Sequence, residues 1–186
     1  MVSEMTAKDE VEVLEGDEGE PEVGRGRDVG RQILLTRLSE VKRGTAPVTV
    51  GADATVSKAV DLMKKKRVSA VMVVDKKKPK RLLGLFTERD FLDRALGAKG
   101  FGRLLVKKVM TRDPEALRPS DSVAYALNKM NVGRYRHVPL VDGDGVPVGM
   151  VSARDLIDLI CELCPEEIMN LPSQPRYAVP RTQEGE

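Results

Sequence analysis

The apolar positions of the chain fall into one series that runs twice. Val56, Ala59, Val60 and Met63 recur at i, i+3, i+4 and i+7, the period of one helix face. Two short runs rich in β-formers follow, Ala70-Val-Met-Val-Val and Leu82-Leu-Gly-Leu-Phe, and then a second helical pattern through Phe91, Ala95 and Leu96. The same order returns with Val123, Ala126, Leu127 and Met130, with Val138-Pro-Leu-Val and Pro147-Val-Gly-Met-Val, and with Leu156, Leu159, Ile160 and Leu163. A strand ahead of each first helix completes a β-α-β-β-α unit. A unit of about 50 residues is marginal alone, so two should bury their sheets against each other about a pseudo-twofold axis. The fold class expected is therefore α/β (α+β), two tandem units packed sheet to sheet. Ahead of them, Leu34, Leu38 and Val41 predict an amphipathic helix over 31–43, ending before Gly44. Gly84 and Gly149 precede the ends of the paired strands, where a missing Cβ serves either a turn or a close approach of backbone or ligand.

Composition sets limits on this picture. Apolar residues make up 41% of the chain but aromatic ones only 3%, with no Trp, so the core must be aliphatic. No apolar run reaches the roughly 18 residues of a membrane span, and the first residues lack a secretory pattern, which leads us to expect a cytoplasmic protein without membrane contact. Residues 1–30 are rich in Glu, Asp and Gly, and are expected to be a disordered acidic arm before a positively charged body. Gly24, Gly26 and Gly30 do not have dinucleotide-binding spacing. The expected organisation is the arm (1–30), a helix and lead-in (31–46), the first copy (47–106), the second copy (107–165) and a C-terminal tail (166–186).

Some charged and reactive groups change little. Cys161 and Cys164 sit on one helix and supply only two of the four ligands a structural zinc wants, so they read as ordinary thiols. The run Lys76-Lys-Lys-Pro-Lys-Arg81 lacks interleaved stacking aromatics and reads as a solvated hairpin loop, so nucleic acid is not the expected partner. With one histidine, His137, and no nucleophile–base–acid set, the chain does not read as an enzyme.

The repeated segments, Val68-Ser-Ala-Val-Met-Val-Val-Asp with Gly84-Leu-Phe-Thr-Glu-Arg-Asp, and Arg136-His-Val-Pro-Leu-Val-Asp with Gly149-Met-Val-Ser-Ala-Arg-Asp, resemble a pair of cystathionine-β-synthase (CBS) domains. The likeness spans about Pro47 to Cys164. It implies a disc-like module that commonly forms homodimers and binds AMP, ADP, ATP or a related adenosine compound as a regulatory ligand rather than a cofactor. The output of such a stand-alone module lies in another, unidentified protein. A dimeric scaffold with vestigial clefts, or nucleic-acid binding through the basic loop, are the alternatives.

Under that resemblance the candidate ligand-binding residues sort by chemistry. Asp90 and Asp155, each three residues after Thr87 or Ser152 at a helix start, suit a ribose diol, although the same spacing makes a capping box. Arg134, Arg136 and His137, with Arg89 and Arg154 beside the aspartates, suit phosphate. Val68, Ser69 and Ala70 resemble the adenine-edge segment, with Phe86 and Met150 as apolar walls. The better-furnished cleft should join Val68, Ser69 and Ala70 to Arg136, His137, Met150, Ser152 and Asp155, leaving the cleft at Thr87 and Asp90 second.

Overall fold

The computed structural model describes residues 30–41, 47–77, 80–165 and 168, so the acidic arm, the C-terminal tail and the centre of the basic loop lie outside the described residues. The first unit contains β1 (Thr49–Gly51), α2 (Val56–Lys66), β2 (Ala70–Val74), β3 (Leu82–Thr87) and a terminal helix α3. The second contains α4 (Val123–Gly133), β5 (His137–Val141), β6 (Pro147–Ser152) and α5 (Ala153–Leu163). Between them lies β4 (Thr111–Arg112), and residues 30–35 form the described part of a helix, α1.

In the first sheet β1 runs parallel to β2, while β2–β3 and β3–β4 are antiparallel. In the second, β5 and β6 are antiparallel, and the strand expected ahead of α4 shrinks to one parallel bridge, Leu117 with Leu140. Pro114 and Pro119 flank that bridge and have no N–H to extend it. The register slips at Val73/Val74, beside Gly84, and at Leu140/Val141, beside Gly149. A Cβ on Gly84 would meet the Thr111 carbonyl at 2.8 Å, so that glycine admits β4, a backbone neighbour rather than a ligand.

Each unit has its own aliphatic core, and a third small cluster joins them. Val71 and Val73 face the first core, while Ala70 and Met72, on the opposite face of β2, pack with Leu85, Leu82 and Met150 of β6. All five β2 residues are buried, which is why its sequence is continuously apolar rather than alternating. Leu82 N–H also donates to the Gly145 carbonyl across this seam at 2.9 Å.

The helix expected over 31–43 stops at residue 35, because the chain turns to pair with the second unit. Leu38 N–H donates to Asp121 C=O at 2.8 Å, and Val123 N–H to Thr36 C=O at 2.9 Å. The linker repeats the arrangement on the first unit: Val106 N–H donates to Ala54 C=O at 2.9 Å, and Val56 N–H to Leu104 C=O at 2.8 Å. The lead-ins are therefore exchanged. Leu38 and Val41, which precede the first copy, are buried in the core of the second, and Val106 and Val109, on the segment that leads into the second copy's first helix, are buried in the first.

The last helices of the two copies also differ. α5 is regular, whereas α3 has one α-turn, Glu88–Asp90, followed by a π-turn, Phe91–Ala95, in which Leu96 N–H reaches Phe91 C=O at 2.9 Å. The extra residue per turn leaves Leu96, expected on the buried face, 47% exposed.

Candidate functional site

At the seam a cavity of about 430 Å³ opens between the end of β3, the start of α3, β4 and the residues that lead from α4 into β5. Ser69, Thr87, Arg89, Asp90, Arg134, Arg136 and His137 line it, so much of the candidate set meets in one place. Arg94, Thr111, Arg112, Asp113, Glu115 and Tyr135 line it too, and none of these was expected there. Arg94 was legible as the i+4 ion-pair partner of Asp90. The others were not, because they come from the connection that adds β4 or from a turn.

Arg136 and His137 share a cavity with Thr87 and Asp90, whereas the cavity lining does not include Met150, Ser152, Arg154 or Asp155. Ser69 C=O accepts the Glu88 amide at 3.0 Å, which sets Ser69 at the start of α3, and Ser69 Oγ lies 2.8 Å from His137 Nε2. That contact carries the start of β5 to the first copy's helix. Arg154 points to solvent, 88% exposed, 3.9 Å from Asp158. Met150 packs on the seam cluster with Ala70. Val68 lines a neighbouring hollow of about 440 Å³ with Ser69, Val60, Met63 and Phe91.

Phe86 is not a wall. It is fully buried in the first core, and Leu85, one residue earlier on the other face of β3, lines the cavity instead.

Both candidate aspartates are capping-box residues. Asp90 Oδ2 accepts Thr87 N–H at 3.0 Å and the Thr87 hydroxyl at 2.8 Å, while Asp90 N–H donates to Thr87 Oγ at 3.2 Å. Asp155 Oδ2 accepts the same two groups of Ser152, each at 2.6 Å. The caps orient the carboxylates and occupy one oxygen of each; they do not by themselves exclude a ligand from the other. Asp90 is buried and its Oδ1 also meets Arg94 at 3.1 Å and the Thr111 hydroxyl at 3.3 Å.

The lining sets five arginines against four carboxylates, those of Glu88, Asp90, Asp113 and Glu115. Of the five arginines in the lining, Arg94 pairs with Asp90 and Arg112 donates to Lys107 C=O at 3.4 Å. The guanidiniums of Arg89, Arg134 and Arg136 make no hydrogen bond or ion pair among the described residues. Arg134 also holds a left-handed conformation, φ 53°, at the end of α4, which costs a non-glycine residue about 1 kcal/mol or more. His137 is pushed below its ordinary 6.5 by burial and then by the Arg136 charge, against the opposing pull of Asp155 and Glu88, so it is neutral at pH 7. Tyr135 donates to Glu115 at 2.7 Å, and burial with that carboxylate raises its phenol to about 12. No group of acidic, histidine or cysteine side chains among the described residues is arranged to hold a metal ion.

The CBS domain profile matches residues 39–97 and again 106–162. The chain belongs to the CBS domain family. As a CBS pair it is 35% identical, over 72% of its length, to the meiotically up-regulated gene 70 protein of Schizosaccharomyces pombe. It spans 18% to 27% of the length of that protein and two further curated relatives. A solved CBS domain of a membrane protein from Sphaerobacter thermophilus is 30% identical, with a TM-score of 0.62 over 74% of this chain and 96% of that one. A CBS domain protein from Pyrobaculum aerophilum, solved in complex with AMP, is 28% identical, with a TM-score of 0.62 over 70% of this chain and 99% of that one. No helix among the described residues is long and apolar enough to cross a membrane.

Proposed function

We propose that this CBS pair is a non-catalytic regulatory module that binds an adenosine nucleotide in the seam cavity and passes the signal, as a homodimer, to a separate protein. The observation that carries the reading is the set of three unpartnered guanidiniums, Arg89, Arg134 and Arg136, around a cavity at the junction of the copies. Its size, about 430 Å³, lies in the range of small-molecule sites, and Leu85 and Pro114 give it apolar wall. Arginine forks match phosphate oxygens, and collecting them in a cleft raises the local anion concentration. The AMP complex of the Pyrobaculum aerophilum relative supports the adenosine class.

A nucleotide panel read by thermal shift and calorimetry tests this. Ligand at 100 times its dissociation constant should stabilise the fold by about 2.7 kcal/mol. Arg136→Ala should weaken AMP about tenfold or more, the worth of a charged hydrogen bond, and Arg154→Ala should leave it unchanged. Absence of stabilisation by AMP, ADP, ATP and S-adenosylmethionine would leave the scaffold reading. The reverse pattern in the two variants would move the ligand to the Asp155 cleft.

A further inference from the structure

We propose that Arg94 latches Asp90, and that the latch makes the seam cavity select a phosphorylated nucleoside over the bare nucleoside. This rests on the nucleotide reading above.

A carboxylate offers about four acceptor positions. At Asp90, Thr87 donates twice to Oδ2 and Thr111 donates to Oδ1 at 3.3 Å, while the Arg94 guanidinium stands in ion-pair contact with the same Oδ1 at 3.1 Å. A ribose diol entering beside Asp90 therefore has to displace a partner. The second copy is the internal control. Asp155 has the same cap, yet its Oδ1 accepts no hydrogen bond among the described residues, and Leu159 stands where Arg94 stands in the first copy. The closure of Asp90 is thus an addition to the repeated unit, not a requirement of capping.

Arg94 is free to leave. Its side chain is 51% exposed, it lines the cavity, and its other contacts are long, 3.3 Å to the Val109 carbonyl and 3.5 Å to the Thr111 hydroxyl. Once displaced, it needs another anion. A phosphate on the incoming ligand supplies one in the same cavity, so the diol takes Oδ1 while the guanidinium passes to phosphate. A nucleoside without phosphate opens the latch and leaves Arg94 unpartnered; phosphate without the diol leaves Asp90 closed.

Calorimetry with adenosine and AMP separates these cases, using an Asp155→Asn background that keeps an acceptor for the Ser152 cap but disarms the second aspartate. Arg94→Leu, which copies Leu159, should tighten adenosine and weaken AMP, so that the ratio of their affinities falls about tenfold or more. Arg94→Gln, which retains a neutral donor for buried Asp90, should reduce the ratio less and serves if circular dichroism shows the leucine variant unfolded. Thr111→Val frees the same oxygen and removes only a 3.5 Å contact of the guanidinium, leaving its ion pair with Asp90, and should shift both ligands by one factor. A ratio within about twofold of the parent in the arginine variants, or one lost equally in Thr111→Val, overturns the latch. If the parent binds AMP at this site no better than buffer, the nucleotide reading itself fails, and the latch with it.

Discussion

Leu38→Ala tests the exchange of lead-ins. Leu38 is fully buried, packed with Ile33, Val41, Leu117 and Val123 in the core of the second unit, although it precedes the first copy in sequence. Burial of a leucine side chain is worth about 1.5–3 kcal/mol, and truncation adds a cavity term that depends on how far the site collapses. Collapse is restricted here, because Leu38 N–H and Ser39 N–H are both tied to the second unit's backbone at 2.8 Å. The expected loss is therefore about 3–4 kcal/mol, well inside the range for such truncations. With an m-value near 2 kcal/mol/M, the urea midpoint should fall by about 1.5–2 M. Hydrogen exchange decides where the loss is felt: amides of α4, β5 and β6 should lose protection before those of β1, β2 and β3. Val106→Ala should reverse that order, since Val106 is buried in the first core. Loss of protection in the adjacent copy for either variant would refute the exchange.

Three further expectations follow from the site and its surroundings. The folded pKa of His137 lies below 6.5, so the unfolded chain binds the proton first; the stability contribution is present above 6.5 and is lost as pH falls toward the lower folded value. His137→Gln should flatten the melting temperature over that window, and an unchanged slope would place the titrating group elsewhere. Gly133→Ala puts a Cβ into the Tyr135 ring. The ring should swing off Glu115, its phenol titration falling from about 12 toward 10, at a cost of about 1–3 kcal/mol partly offset by the better helix propensity of alanine; a phenol still near 12 by ultraviolet titration would show that the ring had not moved. Asp53, held near 2 by Lys107 and then Lys76, should titrate closer to 3.8 in Lys107→Ala by carboxyl carbon NMR, and the exposed pair's stabilisation, present above 3.8, is lost as pH falls through about 2.

The repeat was legible because helix and strand periods survive in both copies: Val56, Ala59 and Met63 are buried where Val123, Ala126 and Met130 are. The caps of α3 and α5 were legible for the same reason, since Thr87 with Asp90 and Ser152 with Asp155 are local spacings. Register on β3 was not. The run Leu82-Leu-Gly-Leu-Phe is apolar at each side-chain position, so nothing in it chooses Leu85 over Phe86 as the cavity wall. The exchange was hidden because Leu38 with Val41, and Val106 with Val109, offer one short i, i+3 pair each, too little to say which copy receives them. The grouping of Arg136 and His137 with Asp90 depends on the crossing of the two units at Ser69, a relation between residues 68 positions apart.

Both features have one structural source, the segment that joins the copies. Val106 and Val109 anchor it in the first core, Thr111 and Arg112 extend the first sheet as β4, and Leu117 pairs with β5 of the second. Along that path Thr111 touches Asp90 Oδ1 and Arg112 lines the cavity. A ligand that takes Oδ1 therefore competes with the connection between the units as well as with Arg94. Ligand shifts a conformational balance only through unequal affinity for its two states, and competition for Thr111 is a source of that inequality. The same contact gives the proposed sensor a physical link between an occupied cavity and the angle at which its two halves meet.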